Sequence, residues 1–257
     1  MRLAMRSRVR PLLVCTALTT LSFALPPVVA LVAPAAAQEV QVTTEFHSVL
    51  DAHGRWERNA RWGEVWIPAR RAANWRPYEF GHWVYTDEWG WYWVADDEEA
   101  DFGWVTYHYG RWMFEPTSGW MWIPGNEWAP AWVDWRRGDE DVGWAPLPPE
   151  EVIATVREQP DYWVFVRTRD LLAPRISVVV RPARERVVII KRTVVVNRTV
   201  VVRERNVRVN PGIAPGIIAA AIGRPIRAFE VKPRVVVGTR GVRDAVEVRV
   251  QAGRPAP

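Results

Sequence analysis

The chain has one cysteine in 257 residues, Cys15, which excludes a disulfide scaffold and a thiolate zinc site. Its four histidines form no HExxH pair, so that metal-hydrolase signature is missing as well. The N-terminal apolar stretch, Leu12 to Leu25, stops at Pro26-Pro27, short of the roughly 20 residues that a spanning helix needs. Lysine is absent between residues 38 and 150. Against these absences stand a hydrophobic content of 49%, too high for a disordered chain, and a length suited to one large or two ordinary domains. There are also 17 tryptophans, a residue that needs both a large apolar contact and an acceptor for its N–H.

The N-terminus reads as an export signal over residues 1–37. Arg2, Arg6, Arg8 and Arg10 make a basic region, the apolar stretch follows, and Ala35-Ala36-Ala37 offers a small-residue cleavage site before Gln38. The expected mature chain starts at Gln38, carries no transmembrane segment, and resides in the periplasm or at the cell surface. Cys15 does not read as a lipidation site, because Val14 before it is not small.

The formal charge of +5 largely belongs to that signal. Residues 38–150 hold 9 Arg and 20 acids, net −11, whereas residues 151–257 hold 21 basic and 9 acidic residues, net +12. A nucleic-acid partner is therefore not indicated. The change falls near Pro146-Leu147-Pro148-Pro149, giving an acidic Trp-rich region over 38–149 and a basic Val/Arg-rich region over 150–257. The opposite charges fit docking of the two halves, two separately solvated surfaces, or capture of an anionic envelope polymer by the basic half.

Of the 17 tryptophans, 16 lie between Trp56 and Trp144, and they repeat. Trp75-x-x-Tyr78-x-x-Gly81-x-Trp83 recurs as Trp104-x-x-Tyr107-x-x-Gly110-x-Trp112 at an offset of 29, which continues through Gly90-Trp91-x-Trp93 and Gly119-Trp120-x-Trp122. Trp56/Trp66, Trp83/Trp93 and Trp112/Trp122 are each ten residues apart, and Trp132-Val133-x-Trp135 matches Trp104-Val105-x-Tyr107 as a partial fourth unit. Such self-similarity predicts stacked supersecondary units. Each reads as a β-hairpin, with a four-residue loop Asp87–Gly90 that sets Val84 opposite Trp93 and Trp83 opposite Val94. The fold class is thus mainly β: a Trp-rich β-hairpin repeat domain, then a β-rich basic domain with one short helix.

The segments Phe102-Gly-Trp104-Val-Thr-Tyr107, Gly119-Trp-Met-Trp-Ile-Pro-Gly125, Trp128-Ala-Pro-Ala-Trp132 and Val142-Gly-Trp-Ala-Pro-Leu-Pro-Pro149 resemble an exported, Trp-rich bacterial domain family of unknown function. Members sometimes sit downstream of FecR-type domains. The resemblance implies a bacterial envelope protein and assigns no activity, ligand or catalytic residue.

Tryptophans at matched positions read as core. Trp62, Trp89, Trp128 and Trp144 have no evident repeat partner, and Trp89 lies in a hairpin loop where its counterpart is Ser118. Trp62, Trp89 and Trp128 are the candidates for an exposed platform that stacks on a sugar of an envelope polysaccharide or on another envelope protein. The opposing reading has them cap the ends of the core. The run Asp96-Asp97-Glu98-Glu99-x-Asp101 lacks EF-hand spacing and reads as a solvated acidic loop. No catalytic residue, metal or cofactor is assigned. The reading is a non-enzymatic envelope protein with a binding or structural role, the alternatives being a glycan-acting hydrolase with paired carboxylates and anionic-polymer binding by the basic half.

In the basic half, short apolar runs predict strands at Trp163–Val166, Ile176–Val180, Val187–Ile190, Val194–Val196, Val200–Val202, Val207–Val209, Ile226–Val231, Val235–Val237 and Val246–Val250. Residues 215–222 predict a short helix, with Pro215 at its start and Gly223 as its C-cap.

Overall fold

A computed structural model describes residues 46–69, 72, 74–196, 200–202, 207–235 and 246–251. The export signal and the Asn197-Arg198-Thr199 motif lie outside them. The fold is mainly β.

Three hairpins carry the tryptophan repeat: β1 (Gly54–Asn59) with β2 (Gly63–Pro68), β3 (Gly81–Thr86) with β4 (Gly90–Ala95), and β5 (Arg111–Glu115) with β6 (Gly119–Ile123). The ten-residue spacing is a cross-strand pairing, with Trp56 opposite Trp66, Trp83 opposite Trp93 and Trp112 opposite Trp122. This corrects the expected register by one residue, since Val84 lies opposite Tyr92. The loops hold three residues rather than four, because Gly63, Gly90 and Gly119 already pair within the second strand while holding φ of +75°, +76° and +76°. The leading glycine of each unit has a different task. A Cβ on Gly54, Gly81 or Gly110 would come within 2.4, 2.3 and 2.2 Å of the carbonyls of Ile67, Val94 and Ile123, and would strike the indoles of Trp66, Trp93 and Trp122 as well. The Gly-x-Trp spacing therefore lets each hairpin fold its second indole back over bare backbone.

Hairpins one and three join into a sheet of order β1-β2-β6-β5 through the pair Trp66 and Trp122, while β3-β4 stands as a separate two-stranded sheet. Helix α1 (Ala100–Thr106) lies between them in sequence and carries Trp104, half-buried. Trp104 is therefore not the equivalent of Trp132, which leads into the strand β7 (Val133–Arg137). Strand β8 (Asp141–Pro146) pairs with β7 and sets Trp144 opposite Trp135.

The composition changes at 149/150, and one sheet runs across that point. After α2 (Ile153–Arg157), β9 (Val164–Arg167) pairs with β8. After α3 (Arg186–Lys191), β10 (Val194–Val196) pairs with β7, giving the order β10-β7-β8-β9. Trp83, Trp93, Trp135, Trp144, Trp163 and Ile189 belong to a single buried core.

The predicted strand at Val187–Ile190 is instead helix α3, with Ile189 and Ile190 buried and Val187 and Val188 exposed. Four β-branched residues are too few for periodicity to separate the two states, and burial of one adjacent pair decides. The predicted strand at Ile176–Val180 is a 3-10 turn over Ile176–Val178, and that at Ile226–Val231 begins only at Glu230, as β13 (Glu230–Val235). β11 (Val200–Val202) pairs with β12 (Val207–Val209), and β13 with β14 (Val246–Gln251). Helix α4 (Pro215–Ile222) has the predicted bounds, and Gly223 caps it in the left-handed region at φ +71°.

Candidate functional site

The structure separates the three candidate tryptophans into two places. Trp62 ends the first hairpin loop, half-buried against Val65, Ile67 and Met121 on the face of the β1-β2-β6-β5 sheet turned away from its tryptophan pairs. The Arg61 guanidinium sits 4.4 Å from its ring centroid. Trp89 ends the second hairpin loop and, against the expectation of exposure, is only 5% exposed. The loop folds inward, with Trp89 N–H donating to Thr86 Oγ1 and its ring meeting Trp128 edge-on at 5.2 Å. Trp62 and Trp89 are each other's equivalents. Gly54/Gly81, Trp56/Trp83, Trp62/Trp89 and Trp66/Trp93 all share an offset of 27, a signal visible in the sequence but masked by the 29-residue spacing of the next unit.

Trp128, like Trp62, is half-buried. Its ring lies nearly parallel to that of His108, 22° between planes at 6.2 Å, and His108 in turn stacks on Tyr92 at 4.5 Å. The Trp128 indole N–H is buried without an acceptor among the described residues. His108 Nδ1 lies 3.0 Å from the Ala129 carbonyl, which places the ring proton on Nδ1. Burial pushes the His108 pKa down to about 4, partly opposed by the carbonyls of Ala129, Pro130 and Trp93, so a neutral imidazole underlies Trp128 at pH 7.

The turn that leads into Trp128 also lines a cleft of about 300 Å³, whose walls are Gly110, Arg111, Pro124 to Glu127 and Pro149 to Glu151. The Arg111 guanidinium carbon sits 3.6 Å from the Trp132 ring centroid, and Arg111 donates to the Gly110 carbonyl at 3.0 Å. Trp132 is fixed from below by its own N–H to the His108 carbonyl, 3.0 Å. Thus the His108 segment anchors both the aromatic stack and the cleft. Sequence reasoning missed Arg111, Asn126, Glu127, Glu150 and Glu151; the Gly125-Asn126 and Pro148-Pro149 turns were the available signal.

The buried acids serve the fold. Glu99, read as part of a solvated acidic loop, is buried and accepts hydrogen bonds from Trp75 Nε1 at 2.7 Å and from the Tyr107 hydroxyl. Asp134 pairs with Arg157 at 2.6 Å, and the buried Asp141 with Arg192 and, at 3.5 Å, Arg181. Glu79, held 2.9 Å from Arg76, has its pKa raised because burial outweighs that partner and Arg186. Among the described residues no group of three or more His, Cys, Asp and Glu is placed to hold a metal ion, and no helix is long and apolar enough to cross a membrane.

Residues 47–151, which span all three hairpins, the aromatic stack and the cleft, match the model of a family of unknown function, DUF6600. No curated protein and no solved structure matches the chain.

Proposed function

We propose that this DUF6600-containing chain is an exported, non-enzymatic envelope protein that holds a glycan against Trp128 and the polar cleft beside it. The observation that carries the reading is Trp128 itself: half-buried, backed by a neutral His108 and edged by Trp89, it directly follows the turn whose Asn126 and Glu127 line the cleft. A fixed ring face against the apolar side of a sugar, with planar polar groups nearby for its hydroxyls, is the usual composition of such a site. Export rests on the basic, apolar and small-residue pattern of residues 1–37. Retention on immobilised peptidoglycan and polysaccharides is the test. The wild-type chain is expected to be held, Trp128→Ala to lose retention at least about ten-fold, and Trp62→Ala, on a different sheet face, to keep it. No retention on any glycan, or equal retention of the Trp128 variant, removes the proposal.

One observation favours glycan hydrolysis as a second reading. Glu127 from one segment and Glu150 and Glu151 from another line the same cleft, and glycosidases need two carboxylates about 5–9.5 Å apart across the bond. Release of reducing ends that Glu127→Gln abolishes would establish it. Glycan retention without turnover would leave binding as the function.

A further inference from the structure

Four of the five large apolar side chains exposed among the described residues fall between residues 178 and 194: Val178 at 72%, Val187 at 49%, Val188 at 58% and Val194 at 70%. Three of these four belong to one continuous stretch, helix α3 and the strand β10 that follows it at the sheet edge. Helical spacing sets Lys191 one turn beyond Val187, with Arg184 and Arg192 one turn to either side of Val188. Arg184, Lys191 and Arg192 are all exposed. Arg192 pairs with the buried Asp141, whereas Arg184 and Lys191 make no ion pair among the described residues. The one acid between residues 174 and 194, Glu185, is tied to Arg181 at 2.5 Å. Ile189 and Ile190 fix the opposite side of the helix in the core.

We propose that the exposed side of α3 and of the turn before it, Arg184, Val187, Val188 and Lys191, is a peripheral docking surface for an anionic lipid bilayer. Solubility alone does not account for it, since β-branched residues are poor choices for an exposed helical position and charged side chains are better ones. Binding to a hydrophilic polyanion accounts for the cations and leaves the valines without purpose. A bilayer offers both halves of the complement: anionic headgroups for the guanidinium and ammonium groups, and hydrocarbon just beneath for the aliphatic ones. The long stems of Arg184 and Lys191 let their charges reach outward while the valines contact the acyl boundary.

Flotation with vesicles tests this, using the chain from Gln38 onward, which retains every described element. Binding is expected to vesicles containing one-third phosphatidylglycerol and not to pure phosphatidylcholine, and to weaken as salt is raised. The double variants Val187→Ser/Val188→Ser and Arg184→Gln/Lys191→Gln should each lower the partition coefficient by about ten-fold. All four positions are exposed, so unchanged thermal midpoints are expected to accompany the loss. Absence of binding to the anionic vesicles overturns the proposal. So does binding that the serine variant leaves unchanged, which would assign the surface to polyanions, or vesicle-free self-association of the wild type that the serine variant abolishes, which would assign it to a second copy. Trp128→Ala should float like the wild type, since this surface does not depend on the glycan reading.

Discussion

In the Trp-rich segment each strand finds a partner next to it in sequence, β1 with β2, β3 with β4, β5 with β6, and the indoles meet across the pair. In the Val/Arg-rich segment β9 and β10 instead pair with β8 and β7 of the other segment. The two segments also satisfy their polar atoms differently. Indole N–H groups donate to backbone carbonyls, Trp66 to Leu50, Trp112 to Thr106, Trp122 to Tyr109 and Trp144 to Tyr78. At the seam between the segments the donors are guanidinium groups instead: Arg136 of the Trp-rich segment spreads over Thr193, Ile190 and Arg157, and Arg157 of the other grips Asp134 at 2.6 Å. The opposite net charges of the two halves are thus partly neutralised within the molecule, at Asp134, Glu140 and Asp141. One segment supplies a self-paired aromatic core and the other completes its sheet.

The comparison can be broken most severely at an indole. Trp122 is fully buried and pairs with both Trp112 and Trp66, so Trp122→Ala should lower unfolding free energy in urea by about 4 kcal/mol. Val188→Ala should change it by no more than about 0.5 kcal/mol. Next comes the seam. Asp141→Ala removes the buried carboxylate that Arg181 and Arg192 share and is expected to cost about 3 kcal/mol by the same measurement, whereas Glu57→Ala, which removes an exposed partner of Arg55, should cost less than about 0.5 kcal/mol.

A pH series separates the aromatic stack from the ionic seam. The folded-state pKa of His108 lies at about 4, below the ordinary value of 6.5, so the unfolded chain takes up the proton first. Its contribution to stability is complete above pH 6.5 and is lost as pH falls toward 4, by up to about 3 kcal/mol. Urea midpoints of wild type and His108→Gln should converge across that window, and parallel curves would show that His108 is not the group responsible. The smallest effect is a gain: a Cβ on Gly216 meets nothing within 4 Å, so Gly216→Ala near the start of α4 should raise stability by about 0.5 kcal/mol. Gly110→Ala, at φ +67°, must instead destabilise.

The hairpins were legible because glycine and tryptophan are placed by backbone geometry, which repeats with the sequence. What failed there was one residue of loop length, since Gly90 has a turn-like φ and still pairs with Thr86. The helix at residues 215–222 was legible for the same reason, with proline and glycine marking both ends. Val187–Ile190 was not, because burial of Ile189 and Ile190 depends on strands far away in sequence. At the candidate site, Trp128 and Trp89 could be singled out by chemistry, but their meeting over His108 depends on the turn at residues 124–129 returning across Gly110, and no local pattern encodes that. Trp62 shows the opposite lesson: the same loop position as Trp89, in a hairpin that joins a different sheet, gives the same residue different company.

The strand order β10-β7-β8-β9 also dictates a sequence of events as the chain is made. Synthesis runs from the N-terminus, so the β7-β8 ribbon exists before either of its neighbours and waits with both hydrogen-bonding edges open. Closure of the first edge needs residue 167, and of the second residue 196, some fifty residues after β8 ends. A nascent chain paused between those points still holds one open edge, that of β7, so the interval between β8 and β10 is where pairing with a neighbouring molecule competes with folding.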